Sequence, residues 1–265
     1  DVEANLIGFG VGLKDVGKTN TDVVALCCDL TESTRIVEFA KAYPDRFFEI
    51  GVAEQNLAGI AAGMALAGKI PFMASYAAFS PGRNFDQIRV SIAYSKTNVK
   101  IIGAHAGITV GPDGATHQML EDVVLMRSLP NMTVVVPADY DQAYAATVAA
   151  ASYDGPVYIR LAREKTPKVT TAKTPFSIGT ANVYTRGTDV TIIANGPMVY
   201  EALCAAHVLA QHNIAAEVID CHSVKPLDTQ TILASVSKTG AVVTAEEAQV
   251  TGGLGGAIAE LLGEH

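Results

Sequence analysis

The run Phe48-Glu-Ile-Gly-Val-Ala-Glu54-Gln-Asn-Leu-Ala-Gly-Ile-Ala-Ala-Gly63 changes from a β-type pattern to a helical one around a Gly51-x-x-Glu54 turn. Beyond Glu54, Gln55 and Asn56 the helix is built of small and apolar residues, and it carries no charge up to Gly63. An acidic residue at a helix start is favoured by the positive end of the helix dipole, and by spacing alone that accounts for Glu54. A carboxyl entering so apolar a helix is also expected to be buried. Burial raises a carboxyl pKa and equips the group to exchange a proton with a bound heterocycle.

Outward from this stretch, short β-branched runs alternate with helix-like ones. Strands are expected at 23–28, 72–75, 99–103, 133–136 and 157–161, and helices at 33–43, 54–66, 84–94, 120–128 and 139–153. Such alternation predicts an α/β fold whose parallel sheet has helices on both faces. Asp139, after Pro137, is the expected N-cap of the last of these helices. The segment 164–177 is rich in Lys, Thr and Pro, has no apolar run, and reads as a linker. The expected organisation is a first domain over 1–165, a linker over 166–180, and a smaller α/β domain over 181–265. In the smaller domain, strands are expected at 190–194, 216–220 and 241–244 and a helix at 198–212. Gly252-Gly-Leu-Gly-Gly256 opens a final helix that reads as barely begun, so the domain's end is expected to be truncated or disordered.

Composition narrows the function. With 17% charged residues and a net charge of −8, the chain is no general nucleic-acid binder, whose affinity rests on neutralising phosphates. Local arginines and histidines still leave room for an anionic small substrate. The cysteines Cys27, Cys28, Cys204 and Cys221 form no C-x-x-C pair and are expected to be reduced, buried and structural. No leader is recognised and no apolar stretch approaches membrane length, which leads us to expect a soluble cytoplasmic protein without a membrane partner.

Further motifs surround Glu54. Cys28-Asp29-Leu30-Thr-Glu-Ser33 follows the first expected strand, with Ser33 a plausible N-cap. Ser75-Tyr76-Ala-Ala-Phe79 spaces two aromatics three apart, a pattern common in cores. Arg83 reads as a solvent-facing charge at a helix start. Gly103-Ala-His105-Ala-Gly-Ile-Thr-Val-Gly-Pro-Asp113-Gly-Ala-Thr-His117-Gln118 places two His and an Asp in a Gly-rich loop after a strand, a position suited to polar work. Tyr158-Ile-Arg160-Leu-Ala-Arg163 ends the last strand of the first domain, where an interdomain ion pair is one use for either arginine.

Together these motifs resemble the pyrimidine-binding and C-terminal domains of transketolases, over nearly the whole chain. The resemblance implies that Glu54 hydrogen-bonds the aminopyrimidine ring nitrogen of thiamine diphosphate and favours its imino form, so that the cofactor serves as its own base. It places Asp29 and Leu30 against the cofactor and Phe79 on the pyrimidine ring, with Tyr76 the alternative because Ser80-Pro-Gly82 carries an inserted residue. It assigns Ser33, His105, Asp113, His117 and Arg163 to the sugar-phosphate substrate, with His117 also assisting proton transfer. Arg83 matches a phosphate-contacting arginine of deoxyxylulose-phosphate synthases. The family's Gly-Asp-Gly…Asn-Asn motif for diphosphate and metal does not occur here. The resemblance therefore implies a split enzyme, active only with an N-terminal transketolase subunit that holds the diphosphate and Mg²⁺ or Ca²⁺, in an α2β2 assembly.

The expected reaction is transfer of a two-carbon ketol unit from a ketose phosphate to an aldose phosphate. A deoxyxylulose-phosphate synthase is the near alternative, but typically has Arg where His105 stands and a shorter loop before Asp113. The β subunit of 2-oxoacid dehydrogenases shares the split arrangement and lacks Thr-His-Gln. A non-catalytic α/β binding subunit would not need Glu54 and both histidines.

Overall fold

The computed structural model describes residues 1–265. In chain order the elements are β1 (Val2–Ala4), α1 (Asn5–Thr19), β2 (Val23–Cys27), α2 (Val37–Ala42), β3 (Phe47–Glu49), α3 (Glu54–Leu66), β4 (Ile70–Tyr76), α4 (Phe85–Gln87), β5 (Lys100–Ala104), α5 (Asp122–Ser128), β6 (Thr133–Val135), α6 (Tyr140–Ser152), β7 (Val157–Arg160) and β8 (Lys165–Pro167). They continue with β9 (Asn182–Thr185), β10 (Val190–Ala194), α7 (Met198–Gln211), β11 (Ala216–Asp220), β12 (Ser223–Lys225), α8 (Thr229–Thr239), β13 (Val242–Ala245) and α9 (Leu254–Glu264). α4 runs on as a π-helical stretch, Ile88–Tyr94.

The main sheet has seven strands in the order β12-β6-β7-β5-β4-β2-β3. All its pairings are parallel except β12 with β6. Its central strands are covered on both faces, and Val23-Val-Ala-Leu-Cys27 is accordingly buried at every position. One core cluster packs Phe9, Leu13 and Phe39 under Ala25 and Phe72. The other packs Leu57, Ala61, Ile88 and Met126 against Leu26, Met73 and Ile101. The second sheet has four strands, β13-β10-β11-β9, with β9 antiparallel to β11.

Several expectations need correction. Helix α1 and the short strands β1, β8, β9 and β12 add to the expected elements, as does α8, capped by Asp228 accepting from Thr231 N, while β3 is the β-type run before the Gly51 turn. β12, from the far side of the expected linker, completes the main sheet, and the larger core cluster runs on through Ile193, Ile219, Ile232, Leu254 and Ile258. The expected linker is tied down despite lacking an apolar run. β8 pairs with β1, and the Asp139 carboxylate accepts from Val169 N, Thr170 N and the Thr170 hydroxyl while also capping α6. The final helix is formed over several turns rather than barely begun. α9 spans 11 residues, with Glu246 accepting from the Leu254 and Gly255 amides at its start. All four cysteines are free, but Cys204 is exposed because it lies on the outer face of α7.

Candidate functional site

The motif residues quoted from the sequence follow the carboxyl ends of parallel strands in the main sheet, the edge at which open α/β sheets bind ligands. β2 leads into Asp29, β3 into Glu54, β4 ends on Tyr76, β5 leads into His105, and β7 into Arg163.

Glu54 opens α3 and is 2% exposed, as the apolar helix predicts. Asn84, itself buried, fixes that end of the helix by donating to the Glu54 carbonyl at 2.9 Å and to the Ser80 hydroxyl at 3.1 Å. The Glu54 carboxylate is paired: Arg83 Nη1 donates to Oε2 at 3.2 Å. Arg83 is thus not the freely solvated charge that its position suggests, although its side chain remains 55% exposed. Its guanidinium also lies over the Phe79 ring, 5.4 Å from the centroid.

Four rings gather beside this corner. Tyr76 stacks on His105 at 4.0 Å between centroids and on Phe79 at 6.0 Å, while His117 meets Phe79 edge-on at 5.3 Å. Tyr76 is half-buried and packs on the edge of one core cluster while its ring faces His105 and Phe79. Thr116 Oγ1 lies 2.8 Å from His117 Nδ1 and fixes that ring's orientation. His105 is 5% exposed, and its Nδ1 has no hydrogen-bond partner in the chain. Burial first, and the Arg163 guanidinium second, lower its pKa to about 4, so the ring is neutral at neutral pH.

Ser33, Tyr76, His105, Asp113 and Arg163 line one cavity of about 330 Å³, together with Arg35. The substrate residues expected from separate motifs, except His117, thus share one wall-to-wall space, and His117 adjoins it through Tyr76. Arg163 donates to the Val110 carbonyl at 2.5 Å, which pins it against the Gly-rich loop. Asp29 and Leu30 lie at the end of β2, Leu30 packed on the core edge. Clefts of about 540 and 710 Å³ elsewhere contain none of these residues.

Sequence reasoning missed three contributors. Glu49 accepts from Asp29 N at 2.7 Å, Gly51 N at 2.9 Å and the Thr31 hydroxyl at 3.0 Å, holding the Asp29 turn beside the Glu54 turn. It stands inside the decisive stretch, and only its pairing across the sheet reveals the role. Asn84 is the second, and Arg35 the third. Arg160 proves structural: its ion pair is with Asp122 at 2.8 Å, within the main sheet unit, and only its bond to the Glu247 carbonyl reaches the later part of the chain.

No three His, Cys, Asp or Glu side chains of this chain are grouped to hold a metal ion. The residues present fit the aminopyrimidine end of thiamine diphosphate: a buried carboxylate for a ring nitrogen, and aromatic faces beside it for the ring.

Residues 7–168 match the family "Transketolase, pyrimidine binding domain", and residues 179–265 match "Transketolase, C-terminal domain". The chain is 46% identical over 253 residues to the 6-deoxy-6-sulfo-D-fructose transketolase subunit SqwH of Clostridium sp. (strain MSTE9), covering 96% of this chain and 79% of that one. It is 39% identical over 254 residues to an apulose-4-phosphate transketolase subunit of Phocaeicola vulgatus, covering 96% and 81%. Its fold matches the solved structure "Split gene transketolase, inactive beta4 tetramer" with a TM-score of 0.93 and 49% identity, covering 99% of this chain and 86% of the other. Two family matches that together span almost the whole chain place this protein in the transketolase family of transferases.

Proposed function

We propose that this chain supplies the aminopyrimidine half of a thiamine-diphosphate site and, with a partner chain holding the diphosphate and Mg²⁺ or Ca²⁺, transfers a two-carbon ketol unit between sugar phosphates. The observation that carries the reading is the 2%-exposed Glu54 carboxylate at the start of α3, beside the Tyr76, Phe79, His105 and His117 rings. When bound, thiamine diphosphate supplies the carbon nucleophile that takes up and releases the two-carbon unit.

The chain's own residues do the rest. The Glu54 carboxyl, itself buried, would hold a proton toward the pyrimidine nitrogen. Phe79, with Tyr76 behind it, offers a ring face for stacking. Asp29 and Leu30 border the cofactor from the end of β2. His117 hydrogen-bonds the reacting end of the sugar and relays a proton there. Neutral His105 hydrogen-bonds without contributing charge, Asp113 and Ser33 accept or donate to hydroxyls, and Arg163 meets the phosphate with a planar fork of donors. Both relatives named above are transketolase subunits for sugars with an anionic or phosphorylated end, which accords with that cavity.

Dependence on a partner is supported by α3. Past Asn56 this helix is small and apolar on every face, a pattern that belongs in a buried setting, yet Gly59 and Gly63 face open space and Leu66 is 76% exposed. Val52 and Tyr94 nearby are 69% and 82% exposed. Such a face fits coverage by another chain close to the Glu54 corner.

The test is to mix the chain with its N-terminal transketolase partner, thiamine diphosphate and Mg²⁺, and assay two-carbon transfer from ketose phosphate to aldose phosphate. Transfer by the mixture and not by either chain alone is expected. Turnover of pyruvate with glyceraldehyde phosphate in place of ketol transfer would replace this reading with the synthase one.

A further inference from the structure

We propose that Arg35 is a specificity-determining residue of the sugar cavity, pairing with Arg163 to hold the phosphate end of the substrate. The proposal rests on the function reading above and adds a second guanidinium that no motif identified.

Arg35 lines the same cavity as Ser33, His105, Asp113 and Arg163, and its charge is among those that lower the His105 pKa. It lies in the left-handed region at φ 64°. An L residue other than Asn, Asp or Gly pays a conformational penalty there, and such strain persists where the surroundings over-determine it. The surroundings here are visible. Gly10 of α1 packs directly under the turn: a Cβ at that position would lie 2.4 Å from the Arg35 carbonyl oxygen and 3.1 Å from its Cβ. Asp29 and His105, at φ 57° each, put two more non-glycine residues of the same edge in that region.

The guanidinium is also uncommitted. Arg83, Arg160 and Arg163 each have a carboxylate within 4.0 Å, whereas Arg35 has no ion-pair partner in the chain. A strained, exposed arginine whose guanidinium makes no ion pair within its own chain and which lines a polar cavity is explained by an anion. Arg35, Arg163 and Lys165 on the cavity lining outnumber Asp113 and Glu164 by one charge, on a protein whose net charge is −8. With His105 neutral, a dianionic phosphate draws its charge compensation from Arg35 and Arg163.

The experiment compares wild type with Arg35→Gly and Arg35→Lys in the assembled enzyme, using a ketose phosphate and its unphosphorylated counterpart as donors. In parallel, inorganic phosphate is titrated into the full chain and followed at the His105 imidazole by NMR. Losing one charged hydrogen-bonding contact should raise KM for the phosphorylated donor about 10- to 100-fold and leave the unphosphorylated donor within about twofold. Phosphate should bind the glycine variant at least about tenfold more weakly, and lysine should restore part of the loss. Glycine adopts positive φ freely, so the thermal midpoint should stay level or rise. A merely structural arginine would lower the midpoint and harm both donors equally, and that result would overturn the proposal. Unchanged phosphate binding in Arg35→Gly would do so too. If the assembled protein transfers no ketol, the function reading falls, while the phosphate titration still decides the role of Arg35.

Discussion

Arg160 with Asp122 and Arg83 with Glu54 are the same chemical pair in opposite settings. Arg160 and Asp122 are 4% and 0% exposed. The Asp122 oxygen that meets Arg160 also accepts from the Tyr158 hydroxyl at 2.7 Å, and Arg160 further donates to the Met119 and Glu247 carbonyls. Every part of that network is protein. In the second pair the carboxylate is as deeply buried, but the arginine is more than half exposed and makes its one hydrogen bond to Glu54. A pair in which both members are buried and every recorded partner is a protein group holds a fold together. A buried carboxylate whose partner stands in solvent is one that another donor can reach. The difference separates scaffold from site without reference to any relative.

The largest expected effect that sharpens this contrast is on turnover. Glu54→Gln keeps the shape and removes the proton exchange, so the assembled enzyme should lose about 10²- to 10⁴-fold in turnover. Its thermal midpoint and its elution with the partner should be nearly unchanged; near-normal turnover would discard Glu54 as the proton-holding group. Arg160→Met should act the other way. Leaving Asp122 buried and unpaired costs about 3–5 kcal/mol, or a fall of roughly 6–20 °C in midpoint for a chain of this size. A midpoint within 2 °C of wild type, taken as about half a kcal/mol, would break the scaffold half of the comparison.

Arg83→Gln should be milder, because a half-exposed ion pair is screened by solvent and contributes about 1 kcal/mol or less. Since Arg83 occupies Glu54 Oε2 and covers Phe79, the variant should bind thiamine diphosphate about two- to fivefold more tightly in the assembled enzyme. Weaker binding would make Arg83 a cofactor contact instead. The smallest effect is spectroscopic. His105, held at about 4, should show no imidazole titration midpoint between pH 8 and 5 by NMR. The depressed value also means that the unfolded state binds the extra proton first. Stability from this group is present above the ordinary imidazole pKa of about 6.5 and is lost as pH falls from there toward 4. Titration of His105 near 6.5 would show that the ring is solvated.

Much of this is legible in the sequence, and what is not has physical causes. The main strands and the span of α3 follow from hydrophobic period and length, and the site motifs fall at strand ends. α1 escapes a reading by pattern because Gly8, Gly10, Gly12 and Gly17 weaken its helical signal. The structure explains them by contact: a Cβ on Gly8 would lie 2.1 Å from the Tyr140 carbonyl oxygen of α6, and one on Gly17 would lie 2.5 Å from Phe39. β12 escapes because three residues joining another unit's sheet leave no periodic trace. Arg35 escapes because a backbone angle, unlike a spacing, is not written in the neighbouring residues. Arg83 reads as solvated because its partner lies 29 positions away.

The central claim is that this chain holds half of a cofactor site. Calorimetric titration of thiamine diphosphate with Mg²⁺ into this chain, into its N-terminal partner, and into their equimolar mixture tests it most directly. We expect no saturable binding to this chain alone and stoichiometric binding to the mixture, weakened by Glu54→Gln. Saturable binding to this chain alone with the affinity of the mixture would contradict it.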